Sequence, residues 1–351
     1  MTPPAQASGP PLLEVEDLAT RYPVRRLLTE RLARRPQQWV RAVDGVSFSI
    51  RRGEMLALVG ESGCGKTSTA QTIMRMVDAA SGTVRIDGTD ITSWSQRRLR
   101  SMRRSIQMIY QDPYESLDPR FRVRHTVEEP MLVHGIGSSR QERRELILAA
   151  LERAELAPAD LFIDRYPHEL SGGQRQRVAI AASLALRPAL LLADEPVSML
   201  DVSVRAGVLS LVNSLRQDGR LGILMITHDL STAGHFADRI AVMYLGRIVE
   251  YGPARQVVRD PRHPYTRALL SVVPPRDPRA RPARQILRGE APNPADIPSG
   301  CRFRSRCPIA EDRCATTDPR LAPVAGLVPA GPDPAGSEHA VACLLAAAPE
   351  D

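Results

Sequence analysis

The sequence predicts an α/β fold, a largely parallel sheet covered by helices on both faces, followed by a smaller irregular C-terminal region. Three observations predict it. Short apolar runs, MLALVG (55–60), ALLLADEP (189–196) and GILMITH (222–228), alternate with helical stretches. Strands that are apolar at almost every position are those buried on both faces of a parallel sheet. The first of these runs leads directly into a glycine-rich loop, and from about Pro261 proline becomes dense while apolar periodicity fades. At 351 residues the chain exceeds one average domain. The expected division is a Pro-rich, disordered segment over 1–11, an α/β domain over 12–260 and a small Cys-containing domain over 261–351.

Taken in order, LLEVEDLATRY (12–22) alternates like an edge strand, and the arginine-dense stretch 23–41 reads as a surface insertion. VSFSI (46–50) reads as a strand. After the glycine-rich loop comes a helix with Ile73, Met74, Met76 and Val77 on its apolar side. TVRIDG (83–88) ends in Asp-Gly, a hairpin signal, and SIQMIYQ (105–111) is a further strand. Residues 123–156 read as helical, within a helical region of about 112–180. A helix follows LSGG through 175–186, and SVRAGVLSLVNSLRQ (203–217) is another, closed by Asp218-Gly219.

Composition excludes several classes. No apolar run approaches the ~20 residues of a membrane span. The N-terminus lacks a basic region followed by an apolar run, so no signal peptide is expected. A cytosolic protein is expected, at a membrane only if another chain holds it there. The formal charge of +7 comes from arginines spread along the chain, and aromatics at 4% are too few for a base-stacking platform, so nucleic acid is not an expected partner.

The motifs are more specific. Gly60, Gly65, Lys66 and Thr67 fit the spacing of a phosphate-binding loop between strand and helix. Glycine lets backbone N–H groups curl around phosphate oxygens, and the helix N-terminus adds partial positive charge. Lys66 would reach the β/γ-phosphates, and the Thr67 hydroxyl would ligate Mg²⁺. Of 47 basic residues Lys66 is the only lysine. A compact ammonium seats between phosphates where a planar guanidinium does not. Asp194 ends an apolar strand and can hold Mg²⁺, while Glu195 is the candidate general base for water attack. Gln111 also follows a strand and could sense Mg²⁺ and that water, and His228 ends another and could contact the γ-phosphate. LSGGQ (170–174) opens a second helix N-terminus suited to an anion. One ATP does not need two such loops, which suggests a nucleotide held by another chain; an ordinary Ser-capped helix is the alternative.

Together these residues resemble an ABC-transporter ATPase over roughly 12–255. The resemblance implies a P-loop NTPase with a RecA-like core, an antiparallel β subdomain and a helical signature subdomain. In it Gly60, Glu61, Ser62, Gly63, Cys64, Gly65, Lys66, Thr67 and Ser68 bind ATP, and Tyr22 stacks on adenine. Thr67, Gln111 and Asp194 serve Mg²⁺. Leu170, Ser171, Gly172, Gly173 and Gln174 face the opposite chain's ATP, and Asp201 belongs to the D-loop. AVDGVSF (42–48), YQDPYESLDPR (110–120), DEPVSMLDVS (194–203), HPYTRALL (263–270) and PSGCRFRSRCPIAEDRC (298–314) are similar to the oligopeptide/dipeptide importer ATPases, closer to their second, F-type subunit. Met199 departs from the small residue usual there. The implied assembly is two ATPase subunits, paralogous or identical, sandwiching two ATPs. It works on two permease chains at the cytoplasmic membrane face, which are fed by an external binding protein. The Q-loop and helical region, about 111–135, would transmit the motion.

Cys301, Cys307, Cys314 and Cys343 contain no C-x-x-C, so a zinc ribbon fits poorly. They suggest a [4Fe–4S] cluster, with Pro308 after Cys307 as in one ferredoxin ligand, or else unligated thiols in a small core. Two other functions compete. A soluble ABC ATPase acting on ribosomes or nucleic acid usually needs two such domains or a coiled coil, for which the span from Lys66 to Ser171 has no room. An exporter ATPase is usually fused to membrane spans. The substrate stays open among dipeptides, longer peptides, nickel chelates and other small solutes. Lys66→Arg, which conserves charge, is expected to abolish or severely impair ATP hydrolysis; phosphate release at the wild-type rate would refute the reading.

Overall fold

The structure is a computed structural model that describes residues 10–26, 36–112, 116–217, 219–272, 285, 287, 289–324 and 339–346. The expected disorder over 1–11 falls mostly outside these, as do residues 27–35 of the insertion expected over 23–41, whose end at 39–41 already belongs to the strand Trp39–Ile50. By its internal contacts the chain forms two compact units. The first comprises the residues to Leu12, Ile50–Glu54 and Ser93–Ile226. The second comprises Leu13–Ser49, Met55–Thr92 and Thr227–Asp351.

In the first unit the strands Ile106–Ile109, Leu190–Asp194 and Gly222–Thr227 run parallel, with Met108 opposite Leu192 and Leu192 opposite Leu224. Every residue of the central strand Leu190–Asp194 is buried, as its unbroken apolar run predicts. The helices are Gln96–Ser105, Val123–His134, Arg140–Arg153, Gly172–Leu184 and Val202–Ser214. The single helix expected over 123–156 is therefore two. Gly135 takes the left-handed conformation at φ 65° and ends the first. Ser139 starts the second, its side chain accepting from the Glu142 N–H.

The second unit holds a four-stranded sheet in the order Trp39–Ile50, Leu13–Pro23, Ser81–Ile86, Thr89–Asp90. Leu13–Pro23 is thus an interior strand and not the expected edge. Alternation reports that one face is buried and is silent about neighbours. The Asp-Gly hairpin forms as predicted, with Asp87 at φ 47° and Gly88 at φ 71°. Elsewhere in this unit Met55–Val59 pairs in parallel with Arg239–Tyr244. Antiparallel pairing then continues to Arg247–Pro253, Ala340–Val341 and Ala322–Pro323. The C-terminal segment is accordingly part of this unit's sheet.

A buried polar node and an aromatic cluster fasten that segment. Glu250 is 0% exposed and accepts from the backbone N–H groups of Arg262 (2.6 Å) and His263 (3.0 Å), with His339 Nε2 2.7 Å away. Tyr244, His263, Tyr265 and Phe303 pack at ring separations of 4.8–5.5 Å. The helix Pro264–Ser271, in a stretch the sequence reads as irregular, begins where His263 Nδ1 accepts the Tyr265 N–H. That bond needs a neutral imidazole, and complete burial pushes His263 down to about 4, against the opposing pull of Glu250. The unfolded chain therefore takes up this proton first. The contribution is whole above about 6.5 and is lost as pH falls through about 4. His263→Asn keeps a capping acceptor without the titration. Its melting temperature is expected to fall less steeply than wild type between pH 6.5 and 4; parallel curves would contradict this.

Candidate functional site

The second unit carries the glycine-rich loop, Tyr22 and His228, and the first carries Gln111, Asp194, Glu195, LSGGQ and Asp201. The loop leaves the buried strand Met55–Val59 and enters the helix Lys66–Ile73. Two of its positions have no room for a side chain. A Cβ on Gly60 would lie 2.2 Å from the Met243 carbonyl oxygen, and one on Gly65 would lie 2.0 Å from that of Ala42. Gly65 also sits at φ 110°. The Gly246 N–H donates to the Cys64 carbonyl at 2.8 Å. Lys66 is 5% exposed, and its Nζ donates to the carbonyls of Gly60 (2.8 Å) and Glu61 (2.9 Å). The first amides of the helix have no carbonyl of their own helix to bond, and the dipole there favours an anion. A cradle that a Cβ would fill, closed by an ammonium, fits a phosphate chain.

Cys64 is buried, and burial pushes its thiol up despite Lys66 Nζ at 3.9 Å. The Tyr22 hydroxyl donates to Ser68 Oγ at 3.4 Å, so Tyr22 does come beside the loop's helix. His228 is exposed at the end of Gly222–Thr227. The residue after it explains its placement. Asp229 caps the helix Leu230–Phe236 by accepting from Ser231 and Thr232, so the chain turns there and leaves His228 outside.

In the first unit Asp194 ends its strand 4% exposed. Glu195 adopts φ 45°, its N–H donating to the Ile226 carbonyl at 3.0 Å. Left-handed backbone at a non-glycine residue costs about 1–2 kcal/mol and aims the side chain away from the strand's course. Gln111 Nε2 donates to Glu195 Oε2 at 3.2 Å, so the structure brings these two together.

The LSGGQ segment is a reciprocal helix cap. Ser171 Oγ accepts from the Gln174 N–H at 3.3 Å, and Gln174 Oε1 accepts from the Ser171 N–H at 3.0 Å. Leu170 is buried, and Gly172 opens the helix. A Cβ on Gly173 would lie 2.4 Å from Val204 Cγ1, so glycine there sets the approach of Gly172–Leu184 to Val202–Ser214. Asp201 stands at the N-cap of the latter helix. A cavity of about 670 Å³ in this unit is lined by Gln111, Asp112, Thr126, Ala182 and Asp194 among others, with Met199, 58% exposed, on its rim.

The four C-terminal cysteines do not make a single-ion site. Among the described residues no group of three or more His, Cys, Asp or Glu could hold a metal ion. In this respect the structure lends the expected cluster no support of its own. Burial pushes Cys301 up to about 11, with the Cys314, Cys343 and Cys307 thiols adding to the shift. Two other residues of the C-terminal motifs escape sequence reasoning altogether. The Tyr265 hydroxyl accepts the Glu61 N–H at 2.8 Å, and Arg306 grips the Glu61 carboxylate with both Nη atoms at 2.8 and 3.1 Å. HPYTRALL and CRFRSRC are visible as motifs, but nothing in either names a partner some 200 residues earlier.

Comparison with known proteins shows the family. The ABC transporter family profile matches residues 43–198, and that of the oligopeptide/dipeptide transporter C-terminal region matches 249–314. A putative peptide import ATP-binding protein of Brucella ovis is 47% identical over 311 residues, spanning 89% of this chain and 94% of that one. The oligopeptide transport ATP-binding protein AppF of Bacillus subtilis is 43% identical over 337 residues, spanning 95% and 97%. Among solved structures, the dimeric ATP-binding cassette MJ0796 bound to ADP and Pi superposes with a TM-score of 0.60 at 29% identity, covering 69% of this chain and 99% of that one. CbiO1 of Clostridium perfringens, part of the transporter complex cbiONQ, gives 0.60 at 27%, covering 71% and 91%.

Proposed function

Because this chain belongs to the ABC-transporter ATP-binding proteins of the oligopeptide/dipeptide import type, we propose a specific division of labour among the residues of its two units. The chain is an ATPase, the energy-coupling subunit of a peptide importer, and it is associated with the membrane peripherally. No helix among the described residues is long and apolar enough to cross a membrane. The observation that carries the nucleotide reading is the loop itself, with no room for a Cβ at Gly60 or Gly65 and Lys66 folded onto it.

In this reading Gly60, Glu61, Ser62, Gly63, Cys64, Gly65, Lys66, Thr67 and Ser68 hold the phosphates. Lys66 exchanges its two carbonyl partners for phosphate oxygens. Tyr22 lies under adenine, supported by its position beside Ser68. Thr67, Asp194 and Gln111 would hold Mg²⁺, which would supply positive charge to offset that of the phosphates. Glu195 would orient and deprotonate the attacking water; its contact with Gln111 supports the two acting together. His228 contacts the γ-phosphate. Leu170–Gln174 and Asp201 serve the nucleotide of a second ATPase subunit, a paralogue or a second copy. Ser171 and Gln174, which now cap each other, would trade that bond for the partner's nucleotide.

The partners are two permease chains and, through them, an external substrate-binding protein, with this subunit on the cytoplasmic membrane face and no nucleic acid involved. The cavity beside Gln111 supports permease contact through residues 111–135, since it is lined by the exposed Tyr110 and, from that stretch, by Leu117 and Thr126. The [4Fe–4S] reading of Cys301, Cys307, Cys314 and Cys343 rests on four cysteines in one C-terminal segment, supported by the Cys301 N–H donating to the Cys314 carbonyl at 2.8 Å, which brings two of them together. Anaerobically purified protein is expected to contain iron and acid-labile sulfide; their absence from a well-folded protein removes the cluster. For the catalytic assignment, Glu195→Gln should still bind ATP, accumulate as a closed dimer and hydrolyse on the order of 10²-fold slower or more. Near-normal turnover would remove Glu195 as the base.

A further inference from the structure

We propose that Arg306 and Tyr265 are positioning residues of the phosphate loop, so that the loop's competence for nucleotide depends on the C-terminal segment docked against it. The inference rests on reading the loop as the ATP site. Its basis is Glu61, the second residue of the loop, whose polar groups are all engaged. Its N–H donates to the Tyr265 hydroxyl at 2.8 Å, and its carbonyl accepts from Lys66 Nζ at 2.9 Å. Its carboxylate receives the fork of Arg306 at 2.8 and 3.1 Å. The two outer holds fix Glu61, and Glu61 in turn locates the ammonium that must meet the phosphates.

The anchors are rigid. Tyr265 is 0% exposed and packs 4.8 Å from Tyr244 and 5.5 Å from Phe303. Burial keeps its hydroxyl protonated, so it faces Glu61 as a neutral group. The Arg306 side chain is 7% exposed, and its guanidinium lies 5.9 Å from the centre of the Tyr244 ring. A bidentate fork in a largely dry setting orients its partner as well as binding it, which an ammonium on the same stem does not. A second tie runs in parallel: Arg302, four residues before Arg306, donates to the Leu245 carbonyl at 2.5 Å and pairs with Asp44. Leu245 and Gly246 form the turn whose N–H holds the Cys64 carbonyl. Arginines of one short Cys-flanked stretch therefore brace the loop at its start and near its middle.

The test uses the full-length chain. Amide hydrogen exchange at Glu61, without nucleotide, should speed up in Tyr265→Phe, which removes the acceptor and little else. In ATPase assays Tyr265→Phe should raise KM for MgATP about fivefold, and Arg306→Gln about tenfold, with kcat less affected. Arg306→Lys should not restore the wild-type KM. Because Arg306 acts through Glu61, the Arg306→Gln/Glu61→Gln double variant should be no worse than Arg306→Gln alone. Unchanged exchange at Glu61 together with unchanged KM in variants that melt as wild type would overturn this inference alone. A wild-type chain that binds no MgATP would overturn the ATP reading and this inference with it.

Discussion

A backbone loop that wraps a phosphate must keep its amides turned inward, and in that shape it has few hydrogen bonds of its own to hold it. The shape has to be imposed from outside. Here it is imposed by contact. The Met243 and Ala42 carbonyls press on Gly60 and Gly65 so closely that only glycine fits. The Gly246 amide takes the Cys64 carbonyl, and Tyr265 and Arg306 take Glu61. Much of what distinguishes this second unit can be read as support for that loop. The strand Arg239–Tyr244 lies beside the loop's own strand and delivers Met243 and Tyr244. The turn after it delivers Gly246, and the C-terminal segment delivers the rest.

The first unit shows a different physical strategy. Its chemistry-bearing residues sit where the backbone is held away from its easiest course. Glu195 occupies left-handed space while its N–H is secured by Ile226. A carboxylate there is aimed by the main chain and needs no long flexible reach. Ser171 and Gln174 are satisfied by one another, so the helix start is stable in a lone subunit. Such a cap is modest in strength, about 1 kcal/mol.

What was legible in the sequence follows from how local each cause is. Buried strands such as Leu190–Asp194 announce themselves by an unbroken apolar run, and the Asp87-Gly88 hairpin by its dipeptide. The loop motif is legible because its glycines, lysine and threonine are neighbours. Leu13–Pro23 reads as an edge because alternation carries no information about what lies beside a strand. The break between Val123–His134 and Arg140–Arg153 hinged on Gly135 adopting positive φ within a charged stretch of helical composition. The strands Arg239–Tyr244 and Arg247–Pro253 are signalled only by the apolar content of RIAVMYLGRIVEYG. The helix Pro264–Ser271 was hidden by proline, which here sits at the helix start, where its missing N–H costs nothing. The grip of Arg306 on Glu61 spans 245 positions, and no periodicity or spacing encodes it.

The short strand Ala340–Val341 gives the C-terminal segment a character that its proline-rich composition conceals. It pairs with Glu250 and Tyr251, and the neighbouring His339 meets the fully buried carboxylate of Glu250. A buried carboxylate stripped of its partner is a cost of about 3–5 kcal/mol, a large share of what a domain has to spare. With residues 339–341 woven into the sheet, the segment shares its stability with the strands it pairs, and a substitution in either is felt in both.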